Sequence, residues 1–211
     1  MLNQNSKKSG NKFKISNSPL VIVVSAPSGA GKTTVVSQLL RSDHRLLKTV
    51  SHTTRKPRPG EVNEKDYFFC THEAFDRMVE ANQFIEWANV YGEKYGTSMK
   101  TIDDILRQKK SAILVIEEQG AQNIKNLFPD NSVFVLLLPP SMEELEKRIK
   151  NRPGMTGEET VRRLDLAWQE IESMQWYDYV FVNENVNETA EQVVRMVESE
   201  QHKLSRCVSF S

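Results

Sequence analysis

The sequence predicts an α/β fold, a parallel sheet core flanked by helices and interrupted by one insertion and one lid. Three observations carry this reading. Residues 20–25 (LVIVVS) form a continuously apolar, β-branched run, the pattern of a strand buried on both faces. Residues 112–116 (AILVI) and 133–138 (VFVLLL) repeat it. Helical stretches separate these runs, and strands alternating with helices imply βαβ units with right-handed crossovers.

The elements follow in order. Residues 1–18 are polar and lysine-bearing with no apolar stretch, so they read as a disordered extension and not as a secretory signal. A helix over 33–41 follows the first strand. Segment 50–97 is rich in charge and aromatics and reads as an insertion that forms a substrate site, with short helices only, near 73–80 and, just past its end, 99–108. Helices over 119–127 and 141–150 follow the second and third strands. Residues 151–157 (NRPGMTG) form a mobile loop, and 158–173 a helix with Val161, Leu164, Ala167, Trp168 and Ile171 on one stripe. Residues 179–182 (YVFV) are a last buried strand, 189–202 a last helix, and 205–211 a frayed tail. The core thus comprises 19–49, 98–140 and 174–204, the insertion 50–97, and the lid with its flanking helices 141–173.

Bulk properties bound the function. The 211 residues are 38% hydrophobic and 27% charged, an ordinary globular composition. Lysine plus arginine number 28, as do aspartate plus glutamate, so no global positive field recruits nucleic acid or an anionic membrane. The longest apolar run near the start is too short to span a bilayer. Cys70 and Cys207 stand far apart with no metal-ligand spacing and read as free thiols of a reducing cytoplasm, a disulfide between them being the other reading.

The strongest motif is Ala26-Pro27-Ser28-Gly29-Ala30-Gly31-Lys32-Thr33, followed by Thr34. It fits [A/G]-x-x-x-x-G-K-[S/T] directly after a buried strand and at the start of a helix, the context a phosphate-binding P-loop requires. Gly29 and Gly31 permit backbone angles and close approaches that a side chain would obstruct. The loop amides and the helix N-terminus then converge on phosphate oxygens. Lys32 would pair with the β- and γ-phosphates of a nucleoside triphosphate, and Thr33 Oγ1 would ligate Mg²⁺. The strict motif begins with glycine; Ala26 is tolerable there if it keeps a negative φ.

A second anion site is suggested by SHTTRKPRPGEVNEKDY, residues 51–67. Arg55 and Arg58, stiffened by Pro57 and Pro59, could grip a second phosphate bidentately, with Tyr67 and Tyr95 adding hydroxyl donors. Taken alone the segment reads equally as a solvated basic loop. Glu86, beside Phe84 and Trp87, could accept hydrogen bonds from N1–H and the 2-amino group of guanine, with Ser51 or Thr97 donating to O6. Adenine lacks both donors, and an unmet buried acceptor is costly. By itself Glu86 reads more readily as a surface carboxylate. No histidine or serine nucleophile is needed for phosphoryl transfer, and His44, His52, His72 and His202 read as structural or solvated.

Together, SAPSGAGKTT, SHTTRKPRPGEVNEKDYFF, FIEWANVYGEKYGT, PPS and YDYVFVN resemble the guanylate kinase family in order and spacing, over residues 20–202. The TTRxPRxGExxxxDY segment is much more specific than the P-loop. The resemblance implies a P-loop kinase fold with a GMP-binding insertion and a lid, and transfer of the γ-phosphoryl of ATP to GMP or dGMP with Mg²⁺, in a cytoplasmic monomer or homodimer. It implies that Ser51, Arg55, Arg58, Glu61, Tyr67, Glu86, Tyr95 and Thr97 bind GMP. It implies that Arg148, Arg152 and Arg163 cover the ATP phosphates, and that Asn183 lies beside the adenine ring. Lys32, Arg55, Arg148, Arg152 and Arg163 are then the catalytic set. Two departures stand out. The family's L-[DE]-[IV]-D-x-Q-G segment is here LVIEEQG, with Val115 for the first acid and Glu117 for the second, a carboxylate still placed to face GMP at the strand end. The acidic, threonine-rich lid pattern is replaced by Arg152-Pro-Gly-Met-Thr-Gly. Two other readings compete: a guanylate kinase-like binding module without catalysis, and a P-loop kinase for another phosphorylated acceptor such as a sugar bisphosphate.

Overall fold

The computed structural model describes residues 13–15, 18–90, 92–116, 118–151, 156–172 and 174–210. Glu117, Arg152 and most of the 1–18 extension lie outside the described residues.

The core sheet has five parallel strands. β1 (Phe13–Ile15) stands apart from it. β2 (Val21–Ser25) runs through the phosphate loop into α1 (Lys32–Ser42), and β3 (Leu46–Lys48) follows. The insertion contributes β4 (His52–Thr53), β5 (Phe68–Phe69), α2 (His72–Glu80), β6 (Phe84–Val90) and β7 (Glu93–Ser98). Then come α3 (Met99–Arg107), β8 (Ser111–Leu114), α4 (Glu118–Leu127), β9 (Ser132–Leu138), α5 (Met142–Lys150) and α6 (Gly157–Glu172). β10 (Tyr179–Val182), α7 (Val186–Gln201), α8 (Leu204–Cys207) and β11 (Val208–Phe210) complete the order. The core strands lie in the order β10-β9-β2-β8-β3, all parallel.

The apolar runs form strands because both faces of this sheet are covered. Ile22, Val24, Ile113, Val133, Val135 and Leu137 point to one side, where Val35, Val36 and Leu39 of α1 and Ala190 and Val193 of α7 close over them. Val21, Val23, Ala112, Leu114 and Phe134 point to the other, against Ile102 and Ile105 of α3 and Ile124 of α4. Each fully buried Val, Leu, Ile or Phe among them contributes about 1.5–3 kcal/mol. Polar residues mark where helices begin: Thr71, Ser98 and Ser141 accept from the backbone N–H groups of Ala74, Thr101 and Glu144, each cap worth about 1 kcal/mol.

Several local expectations are corrected. The insertion is mainly sheet, four strands in the order β5-β4-β7-β6, where only short helices were expected. β4 and β5 are two residues each, and β6 carries a bulge between Phe84 and Glu86 that breaks its alternation. Gly96 is required here, because a Cβ would come within 2.9 Å of Phe84 and 3.0 Å of both Phe75 and Trp87. The insertion is tied to the core through Ile85, buried among α3 and α4, whose carbonyl accepts from Asn123 Nδ2 at 3.0 Å.

The stripe on α6 is only partly used. Ala167 is buried and Leu164 packs against Leu145 and Ile149 of α5, but Val161 and Trp168 are 59% and 51% exposed. A helix whose apolar packing is mainly against one other helix buries a seam narrower than its apolar stripe. β10 is also no fully buried strand: it is the sheet edge, with Val180 and Val182 facing solvent. The two chain ends meet where no element was expected, β1 pairing antiparallel with β11. Arg206 fastens this corner, bonding buried Glu200 and the carbonyls of Asp130 and Ser132. Cys70 and Cys207 are free thiols. Among the described residues no helix is long and apolar enough to cross a membrane.

Candidate active site

Strands of a parallel sheet deliver their following loops to one edge, where ligands bind. At that edge the loop after β2 turns sharply, with Gly29 at φ 105° and Gly31 at φ 94°, both in the left-handed region that favours glycine. Ala26 keeps a negative φ and is buried, which satisfies the condition on its place in the motif. The turn is also sterically closed. A Cβ on Gly29 would meet Leu145 Cδ1 at 3.0 Å, and one on Gly31 would meet Asn183 Nδ2 at 2.4 Å. Asn183 Nδ2 donates to the Ala30 carbonyl at 2.8 Å, so a buried side chain at the end of β10 holds the loop backbone in place.

A cavity of about 590 Å³ opens above this turn. Ala26, Pro27, Ser28, Gly29, Gly31, Lys32, Thr33, Thr34 and Asn183 line it, with Arg148 from α5. Ala30 is buried beneath. Arg148 is oriented by Glu144, 3.0 Å from its Nε. Arg163 reaches across from α6: its Nη1 donates to Ser28 Oγ at 2.8 Å, and Glu159 holds its Nε at 2.9 Å.

A second cavity of about 510 Å³ lies between the insertion and the sheet. Ser51, Glu61, Tyr67, Glu86 and Tyr95 line it, as do Lys32 and Thr33. The two cavities therefore meet at Lys32 and Thr33. Thr97 is fully buried behind Ser51, the two hydroxyls 3.1 Å apart. Tyr67 and Tyr95 pack edge to face with centroids 6.0 Å apart, and burial pushes the Tyr67 phenol up.

The guanidinium pair is arranged differently from a simple clamp. Arg55 is held by Glu61 in a bidentate pair of 2.9 and 2.8 Å and lies over the rings of Tyr67 and Phe69. Glu61 also accepts from the Arg58 backbone N–H at 2.7 Å. Arg55 draws the Glu61 carboxyl below the usual carboxylate range, aided by that backbone bond. Arg58 itself is exposed, and neither guanidinium lines the cavity in this conformation. Glu61 thus acts on Arg55, which it orients, as well as facing the cavity.

The sequence of residues 18–200 matches the guanylate kinase family model. The chain belongs to the guanylate kinase family. It is 42% identical over 187 residues to the guanylate kinase of Clostridioides difficile, covering 89% of this chain and 91% of that one. It is 40% identical to that of Geobacter sulfurreducens, covering 89% and 92%. The crystal structure of guanylate kinase from Anaplasma phagocytophilum superposes with a TM-score of 0.75 at 35% identity, covering 92% of each chain.

Sequence reasoning missed some residues of the second cavity. Lys48 and Thr49, at the end of β3, line it, as does Asp66. For Lys48 and Thr49, position at a parallel-strand terminus was the available signal. Val115, where the guanylate kinase pattern has an acid, lines the same cavity.

Proposed function

We propose that this guanylate kinase family member transfers the γ-phosphoryl group of ATP to GMP, and to dGMP, giving ADP and GDP or dGDP. The observation that supports it is the wall shared by two nucleotide-sized cavities at Lys32 and Thr33. A donor in the first cavity has its γ-phosphate at the Lys32 end of the loop. An acceptor in the second faces it from the other side.

A GMP phosphate oxygen attacks the γ-phosphorus, and the bond from that phosphorus to the β–γ bridging oxygen breaks, ADP leaving with the electron pair. The attacking oxygen is already deprotonated, so no general base is required. The protein contributes position and charge compensation. Lys32 and the loop amides offset charge on the migrating group, with Arg148, Arg163 and, in the lid, Arg152. Arg55, presented by Glu61, and Arg58 hold the acceptor phosphate with Tyr67 and Tyr95. Glu86 reads the N1–H and 2-amino donors of guanine, and the Ser51–Thr97 hydroxyls read O6.

Thr33 with phosphate oxygens suits Mg²⁺, which keeps its waters and takes few protein ligands. Among the described residues no cluster of three or more His, Cys, Asp or Glu offers an all-protein cage. When bound, the ion supplies charge neutralisation at the β- and γ-phosphates. Movement of segment 50–97 and of the 141–173 lid over the core brings the guanidinium groups inward and excludes water. We place the enzyme in the cytoplasm, as a monomer or homodimer.

The test is a phosphoryl-transfer assay over GMP, dGMP, AMP, UMP and CMP with ATP and Mg²⁺. Rapid ADP release with GMP and dGMP alone is expected. A chain that binds GMP without ADP release would be a binding module, and turnover of a sugar bisphosphate in its place would reassign the acceptor.

A further inference from the structure

A third cavity, of about 500 Å³, lies behind the acceptor cavity, which measures about 510 Å³. β4 and β7 form the partition. Successive residues of a strand face opposite sides, so Ser51 lines the acceptor cavity and His52 the rear one. On β7, Ser98 lines the rear cavity, one residue past the Thr97 whose hydroxyl meets Ser51.

The rear cavity has apolar walls of Phe68, Met78 and Met99. The His52 ring stacks on Phe68, centroids 4.7 Å apart and planes 24° from parallel. His52 Nδ1 is buried and has no hydrogen-bond partner, a rare condition in a folded protein that asks for a reason. The lining carries one lysine and one aspartate, Lys100 and Asp104, and Asp104 lies 3.9 Å from Arg107, so no cluster of cations is built here to grip a phosphate.

We propose that this rear cavity binds a planar, uncharged heterocycle of nucleobase to nucleoside size, stacked against the Phe68–His52 pair and hydrogen-bonded to the imidazole. A half-turn about the Cβ–Cγ bond keeps the ring in the same volume and exchanges Nδ1 with Cδ2, and the proposal requires that one of the two orientations turn the nitrogen to the ligand. Occupancy is transmitted because His52 and Ser98 are backbone neighbours of Ser51 and Thr97. A small shift of either strand moves the hydroxyl pair. Binding does not depend on the identity of the acceptor; the effect on GMP does.

The experiment uses the full chain labelled with ¹⁵N-histidine, its two nucleotide cavities filled by a bisubstrate analogue joining adenosine and guanosine through a pentaphosphate. Adenine is the probe, and the His52 resonances are assigned by their loss in His52→Gln. We expect a saturable movement of the His52 ring nitrogens that disappears in Met78→Trp, whose indole fills the cavity. In the unsubstituted protein, we expect nuclear Overhauser contacts between adenine protons and the Met78 and Met99 methyl groups, a readout independent of any variant. No saturable movement at millimolar adenine, absence of the methyl contacts, or an undiminished response in folded Met78→Trp would overturn the site. In steady-state assays without the analogue, adenine is expected to change KM for GMP about fivefold or more, the usual scale of site–site coupling, in the parent chain and not in Met78→Trp. An unchanged KM with the cavity filled overturns the transmission to Ser51 and Thr97.

Discussion

Gly31→Ala would put a methyl carbon 2.4 Å from Asn183 Nδ2, at a residue whose φ is 94°. Two costs follow. Left-handed backbone at a residue with a Cβ costs about 1–2 kcal/mol. Asn183 must also withdraw from the Ala30 carbonyl, and loss of that buried bond costs about 1–3 kcal/mol. The sum is about 2–5 kcal/mol. It is read as lowered stability if the loop keeps its shape, or as lost kcat/KM for ATP if the loop relaxes. At about 1.4 kcal/mol per tenfold, the second case amounts to about thirtyfold to a few thousandfold. Gly92→Ala is the control, because Gly92 has φ 85° with nothing within 4 Å of an added Cβ. It carries the backbone cost alone and leaves ATP kinetics unchanged. Urea unfolding and initial rates over an ATP series, on both variants, separate the contributions. If Gly31→Ala matches the parent in both stability and ATP kinetics, or is no worse than Gly92→Ala, the close approach of Asn183 to the loop is not a constraint and the reasoning fails.

Other outcomes follow from the same geometry. Lys32→Ala should lower kcat at least about a hundredfold, the scale for removing a preorganised charge-stabilising group, with circular dichroism and melting temperature unchanged; near-parental turnover would remove Lys32 from the transfer step. Glu86→Gln should weaken discrimination of GMP against AMP and IMP, read as the ratio of kcat/KM values, and an unchanged ratio takes Glu86 out of base reading. Glu61→Gln, which breaks the bidentate hold on Arg55, should raise KM for GMP and leave KM for ATP alone; equal changes in both would point to general disruption. At the chain ends, burial acts to raise the Glu200 carboxyl, but Lys203, Tyr179 and Arg206 outweigh it and hold it below the usual carboxylate range. Its stabilising contribution is therefore complete above a pH of about 4.5, the ordinary value, and is lost as pH falls through the lower folded value. The difference in melting temperature between the parent and Glu200→Gln should shrink as pH drops below that value, and a difference that persists in strong acid contradicts the assignment.

The core was legible because its signals are local. Residues 21–24 are apolar at every position since both faces are covered, and Gly29 and Gly31 mark a turn only glycine makes readily. Spacing and family pattern suggested Arg55, Arg58, Tyr67 and Tyr95 as a group; Tyr67 and Tyr95 line the second cavity and Arg55 lies over Tyr67, whereas Arg58 is exposed. The tether on Arg55 was not, because it depends on the turn that brings Glu61 N–H to the Arg58 carbonyl at 3.0 Å. The insertion sheet escaped notice for a related reason. Strands of two residues show no period, and the bulge near Phe84 inverts the alternation of the longest one. Exposure of Val180 and Trp168 is a property of topology, of lying at a sheet edge or on a helix covered mainly along one seam, and no residue pattern encodes it.

The corner closed by Arg206 bears on how this protein can be handled. Its carbonyl partners, Asp130 and Ser132, stand where the chain enters β9, whereas the phosphate loop stands where β2 ends. α8 and β11 are thereby anchored at the pole away from the reacting groups. A surface tether or reporter attached beside β11 leaves both nucleotide entrances facing open solution, so samples immobilised there should turn over like free ones.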